Sequence, residues 1–167
     1  TYLQKVHGIS PADALTANSL AIVALTLGCI FYGRLIDSLG SGPTFVLGSL
    51  LLAGATYAFY HSLAAGMDQL VPLYMLAGFA VGIVGAVPYV MVNAFPPVVR
   101  FSGLSFSYNV AYAIFGGLTP MLVTLWMKND VLAPSHYVVS LAGLGFVLGL
   151  WLWLRQRTRR QVTPQTA

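Results

Sequence analysis

The sequence predicts an all-α fold: an integral membrane helical bundle of five transmembrane helices. Three observations predict it. Charged residues make up 7% of the chain, where a soluble domain carries roughly 25%. The mean hydropathy of +0.79 is too apolar for a surface facing water. The few charges also fall at intervals, so that residues 14–33, 38–67, 69–99, 101–127 and 131–154 contain no Asp, Glu, Lys or Arg. About 20 apolar residues suffice to cross a ~30 Å hydrocarbon core. A membrane β-barrel would need alternating polar and apolar residues, which runs such as FVLGSLLLAGATYAF lack.

The first helix is expected over 15–36. Asn18 lies near its outer end, and its other end runs into GRLIDSLGSGPTF. There Gly33 is expected to let the helix end pack closely, Asp37 sits at the turn, and Gly40 and Gly42 suit a tight backbone. Pro43 opens the second helix, 43–62, at a position where its missing N–H does no harm. The third, 69–94, carries Gly78, Gly82 and Ala86 at spacings of four, a pattern for close helix contact. Pro88 is expected to bend it. Pro96 and Pro97 in NAFPPVVRFSG stop it. The fourth helix, 101–127, follows Arg100 and is interrupted by Pro120. The fifth, 136–154, carries Gly145 and Gly149 and leads into a basic tail over 155–167.

Five spans place the two termini on opposite faces. Arg34, Arg100, Arg155, Arg157, Arg159 and Arg160 then share one face, and Lys5 and Lys128 the other. The positive-inside rule makes the Arg-rich face cytoplasmic and the N-terminus external. Trp126 and Tyr137 near one boundary, and Trp151 and Trp153 near the other, suit interfacial aromatic belts. The tail can anchor this topology or meet anionic lipid head groups. The chain starts on Thr1, its first Met is Met67, and TYLQKVHGISPADA lacks the features of a secretory signal. The expectation is a longer chain with more spans upstream.

Several functions are excluded by what the residues lack. The single Cys29 cannot form an intramolecular disulfide. His7, His61 and His136 share no helical spacing, so no metal site is expected. No nucleotide-binding loop and no nucleophile–base arrangement occurs, so neither a catalytic residue nor a cofactor is expected and the chain is not read as an enzyme. The tail is too short to argue for nucleic acid. No acidic residue lies in the middle of any span.

The fourth span is the unusual one. Ser105, Tyr108, Asn109, Tyr112, Gly116 and Thr119 recur at helical spacing and form one stripe, while Val110, Ile114, Leu118 and Leu122 form another suited to lipid. A polar stripe inside a membrane is expected to face protein or a water-filled cavity. Ser, Thr and Asn also join neighbouring membrane helices, at about 0.6 kcal/mol each. Both readings fit the spacing.

Two segments resemble a known family. GRLIDSLGSG is similar to the G-x-L-x-D-R-x-G-R loop of the major facilitator superfamily. NAFPPVVRFSGLSFSYNVAYAIFGGLTP resembles the tenth-to-eleventh helix region of its metabolite:proton symporter family, whose members transport proline and betaine, α-ketoglutarate, citrate or shikimate. Phe95, Pro96, Arg100, Gly103, Tyr108, Ala113, Phe115, Gly116, Gly117 and Pro120 match that pattern. Ser38 stands where the family often has Arg, and Asn93 where it usually has Glu. An Asp–Arg–Glu cluster therefore cannot form from this chain alone.

The resemblance implies that residues 1–154 are helices eight to twelve of a twelve-helix transporter in the cell inner membrane, followed by the cytoplasmic tail. It implies secondary active transport of a small polar organic solute (an organic acid, amino acid or betaine) by proton symport with alternating access. Tyr108, Asn109, Tyr112 and Asn18 would line the substrate path. Gly33, Arg34, Asp37, Gly40 and Arg100 would form the cytoplasmic loops that gate it, and Pro88 and Pro120 the helix bends. The implied partners are the solute, protons, membrane lipid and an N-terminal half of the transporter. The competing reading is a truncated, non-transporting membrane interaction protein.

Overall fold

The computed structural model describes residues 9–66 and 69–162, with side chains as far as Arg157. Lys5, His7, Asp68, and the side chains of Arg159 and Arg160 lie outside the described residues. Five helices follow one another: α1 (Pro11–Leu39), α2 (Ser41–Ala64), α3 (Leu70–Ala94), α4 (Arg100–Trp126) and α5 (Ala133–Val162). Each is long and apolar enough to cross a membrane. The expected fold class holds: among the described residues there is no strand.

The helix ends have local causes. At the start of α1, Ser10 Oγ accepts the Asp13 N–H at 3.1 Å and donates to the Asp13 carboxylate at 2.7 Å. Pro11 in the first turn gives up no needed hydrogen bond. This cap starts α1 earlier than position 15. Its end is Gly40, at φ 86°, a conformation that a side chain would strain. That one residue separates α1 from α2, and no side chain caps the start of α2. At the other end of the chain, α5 continues past residue 154 to Val162 without a break. Arg and Gln are good helix formers, so leaving the apolar stretch does not end the helix.

Two helices depart from α geometry near a proline. In α3, Gly82–Ala86 is a 3-10 segment and the α-helix resumes at Val87, just before Pro88. In α4, Tyr112–Gly116 is a π-helical turn, and Pro120 lies four residues beyond its end. Proline removes one ladder hydrogen bond and its ring presses on the carbonyl four residues earlier. Tightening or widening the preceding turn is one way to accommodate both.

Small residues set the helix pairs. α1 packs against α3 at backbone distance. A Cβ added at Gly78 would strike the Ala21 carbonyl, and one at Gly82 would lie 2.5 Å from the Gly28 carbonyl carbon. α2 packs along α5 in the same way. A Cβ at Gly149 would lie 2.8 Å from the Val46 nitrogen, and one at Gly42 would lie 2.5 Å from the Trp153 backbone. Two expectations need correction here. Gly42 serves this helix contact inside α2 and not a tight turn. Among the described residues Gly33 is not a close-packing point, since a Cβ there would meet none of them within 4 Å.

The core lies between α1, α2 and α3. Tyr32, Ile36, Phe45, Ile83 and Ala86 form one buried cluster, and Phe59, Leu63 and Ala77 another nearer the opposite end. In contrast, α4 has no buried residue. Its ties to the rest include a corner with α3, a 2.6 Å hydrogen bond between the Thr119 and Tyr137 hydroxyls, and the Trp126 ring 6.2 Å from that of His136.

Candidate functional site

The polar stripe of α4 is built around its π turn. Tyr112 opens that turn, and its ring lies 4.9 Å from the Tyr108 ring at a 30° tilt. Tyr112 is 63% exposed and Tyr108 37%, so both phenols face away from the rest of the chain. Asn109 Nδ2 donates to the Ser105 carbonyl at 2.8 Å. This local bond uses one amide proton and leaves the Asn109 oxygen and second proton able to meet a solute or another helix. The two ends of the stripe therefore differ. Thr119 is engaged by α5 through Tyr137, whereas among the described residues Tyr108, Asn109 and Tyr112 are held only by their own helix.

Other polar groups in the spans are mostly satisfied within their own helices. Thr16, Ser19, Thr26, Thr124 and Ser140 each donate to the carbonyl four residues earlier, at 2.6–3.1 Å. Such back-bonding lets a hydroxyl sit in an apolar span without an unsatisfied donor. These residues are accounted for without invoking a ligand.

Asn18 is placed differently, and not beside Tyr108. Its Oδ1 accepts the Tyr74 hydroxyl proton at 3.1 Å, linking α1 to α3. Both residues line a cavity of about 250 Å³ together with Thr56, Phe59, Tyr60 and Gly78. The Phe59 and Tyr74 rings stack at 4.9 Å and 16° there. The sequence reading missed this aromatic wall. Its signal was the adjacent Phe59 and Tyr60 in TYAFY on α2, but only tertiary contact brings them to Tyr74.

The resembling segment forms a compact corner between α3 and α4. Arg100 Nε donates to the Phe95 carbonyl at 3.4 Å. A Cβ at Gly103 would lie 2.7 Å from the Phe95 ring. Thus three of the matching residues have one shared job: Phe95 folds back on the first turn of α4, Gly103 leaves room for its ring, and Arg100 takes its carbonyl. The other resembling segment is not the expected loop: Arg34 and Asp37 lie in the last turns of α1, which runs on to Leu39, and both are exposed. Among the described residues no Arg or Lys pairs with a carboxylate, and the one contact of that kind is a 2.8 Å hydrogen bond between His136 Nδ1 in the first turn of α5 and Asp130 Oδ2 in the preceding connection. Arg34, Asp37 and Arg100 are therefore not joined to one another by charge pairing.

No group of three or more His, Cys, Asp or Glu side chains among the described residues could hold a metal ion. The arrangement can bind through hydroxyls, one carboxamide and aromatic faces, and aromatic faces attract cations.

No protein-family model matches the chain, and no solved structure matches it. Curated proteins do. A Staphylococcus aureus (strain COL) protein provisionally named a proline/betaine transporter is 26% identical over 163 residues, covering 92% of this chain and 34% of its own length. The proline/betaine transporter of Salmonella typhimurium (strain LT2) is 27% identical over 140 residues, 78% of this chain and 28% of its own. A glycine betaine/proline/ectoine/pipecolic acid transporter of Dickeya dadantii (strain 3937) is 29% identical over 143 residues, 80% of this chain and 28% of its own. The chain spans about a third of the length of the curated relatives it matches. Five apolar spans and relatives of this kind support a multi-pass membrane protein of a transporter family.

Proposed function

We propose that the chain forms helices eight to twelve of a secondary transporter of the major facilitator superfamily, in its metabolite:proton symporter family. The solute is small, polar and organic, of the proline or betaine class that the relatives' names print. The observation that carries this reading is α4. It is a span with an uncovered polar face and a π turn, and in a membrane such a face needs protein or water against it. An N-terminal half facing Tyr108, Asn109 and Tyr112 would enclose a solute path between the two halves. The irregular turns near Pro88 and Pro120 give α3 and α4 places to flex during alternating access, and the α1 end at Gly33–Gly40 and the corner at Arg100 form the cytoplasmic gate. The proton-carrying group lies in the other half, because the spans of this chain hold no acidic residue at mid-depth.

The test is uptake of labelled proline and glycine betaine into proteoliposomes carrying the full reading frame, with and without an imposed proton gradient. Gradient-driven accumulation that an uncoupler abolishes is expected. Failure to accumulate either solute, together with a protein partner retained through purification, would favour the interaction-protein reading instead.

Two further outcomes follow from this reading. In a Cys29→Ser background, a membrane-impermeant thiol reagent applied to intact cells should label Lys5→Cys and spare Thr158→Cys, because six of the eight basic residues share the face assigned to the cytoplasm. The reverse pattern would invert the topology. Asp37→Asn should lower uptake while leaving equilibrium solute affinity within about twofold, since Asp37 sits in the last turn of α1, away from the middle of the span. A large loss of affinity with turnover per bound carrier intact would remove Asp37 from the gate.

A further inference from the structure

A second cavity, of about 350 Å³, lies at the end of the bundle that carries Arg155. It is formed where the start of α2, the end of α3 and the last membrane turns of α5 meet. Its lining is divided by chemistry. Val90, Leu148 and Leu152 lie toward the apolar lengths of the helices, and Ser41, Asn93, Arg155 and Gln156 toward their ends. Among the described residues no acidic side chain lines it.

The polar groups are held in place. Gln156 Nε2 donates to Ser41 Oγ at 2.7 Å, fastening α5 to the start of α2. The Ser41 hydroxyl is the acceptor in that bond, so its own proton can be donated to a ligand. Asn93 Nδ2 donates to the Tyr89 carbonyl at 2.8 Å, which leaves its second amide proton. The Arg155 guanidinium lies 5.2 Å over the Trp151 ring. Stacking on an aromatic face restrains the cation while its N–H edge stays open to an anion. Since α5 continues as helix to Val162, Arg155 and Gln156 stand on a rigid element at the membrane boundary.

We propose that this pocket holds the phosphate of an anionic phospholipid, with Arg155 as counter-ion, Asn93 and Ser41 as further donors, and the acyl chains lying along Val90, Leu148 and Leu152. A planar guanidinium pairs with phosphate oxygens through two parallel N–H bonds, and basic pockets between helices at this depth suit anionic head groups. A soluble phosphate compound would satisfy the donors but leave the apolar half of the pocket without a partner. The proposal stands independently of the transport reading.

The experiment is native mass spectrometry of the detergent-purified full-length protein titrated with phosphatidylglycerol, phosphatidylcholine or inorganic phosphate. Retention of phosphatidylglycerol is expected, with little of the zwitterionic lipid. Arg155→Gln should weaken retention by about tenfold, as for loss of a charge-assisted contact. Arg157→Gln should weaken it by about twofold at most, because that side chain stacks on Trp153 outside the pocket. Asn93→Leu removes an amide donor away from the tight helix contacts and should also weaken retention, giving a reading even where the Arg155 variant fails to fold. Equal losses for Arg155→Gln and Arg157→Gln would mean general attraction to a basic helix end and would overturn the proposal. Competition by millimolar inorganic phosphate as effective as that by the lipid would overturn its lipid part.

Discussion

Gly82→Ala is expected to destabilise the bundle by about 1–3 kcal/mol, the range for an added methyl in a filled contact. Two effects oppose each other. Replacing glycine by alanine in a helix interior normally favours the helix by about 1 kcal/mol. At Gly82, however, the new Cβ would lie 2.5 Å from the Gly28 carbonyl carbon and 2.7 Å from the Cys29 nitrogen. Both are backbone atoms of α1, so no side chain can rotate away. The helices must part, and parting them also opens the contacts at Gly28 and Gly78, which is why the steric effect wins. Gly143→Ala is the control, since a Cβ there meets nothing within 4 Å. Thermal unfolding in one detergent should show Gly82→Ala melting well below the parent and Gly143→Ala at or above it. Equal melting of the two variants would mean that α1 and α3 do not touch at this point.

The same contact shows what could be read in advance. The five spans were legible because charges are so costly in hydrocarbon that their absence marks each helix. The ends were less so. Ser10, Pro11 and Asp13 carry a recognisable cap, yet apolar content drew attention to the residues after it. The repeat of Gly78 and Gly82 announced a close contact but not its partner. That partner is the Ala21–Gly28 face of α1, and a spacing on one helix holds no information about which neighbour it meets. The 3-10 and π turns were hidden for a related reason. Pro88 and Pro120 signal a disturbed ladder, but whether the backbone tightens or widens depends on packing around it. At the candidate site, the sequence grouped Asn18 with Tyr108. The fold puts Asn18 in a different place, hydrogen-bonded to Tyr74 across 56 residues of chain. The stripe on α4 could be read because helical periodicity is local; the enclosure around Asn18 could not, because it is made by four helices.

Asn109→Ala is expected to weaken solute binding about 10–150-fold in the full-length protein, the range that corresponds to losing a hydrogen bond to a charged solute, about 1.5–3 kcal/mol. The alternative is that Asn109 joins α4 to another helix, in which case the change costs about 0.6 kcal/mol of stability and leaves affinity alone. The geometry makes the two separable. Asn109 Nδ2 already bonds the Ser105 carbonyl, so truncation removes a local bond in either case and produces a similar small loss of helix stability. Only the remaining proton and oxygen differ between the readings, and they report on affinity. Tyr108→Phe removes one hydroxyl while keeping the ring that lies 4.9 Å from Tyr112; it should weaken binding if that hydroxyl meets the solute and spare any aromatic contact with an ammonium group. Val110→Ala, on the apolar stripe of the same helix, controls for shortening a side chain at this depth. Affinity and melting temperature should be measured on all three variants. If Asn109→Ala binds proline and glycine betaine as tightly as Val110→Ala does, the stripe is helix glue and the solute path lies elsewhere, whatever happens to the melting temperature.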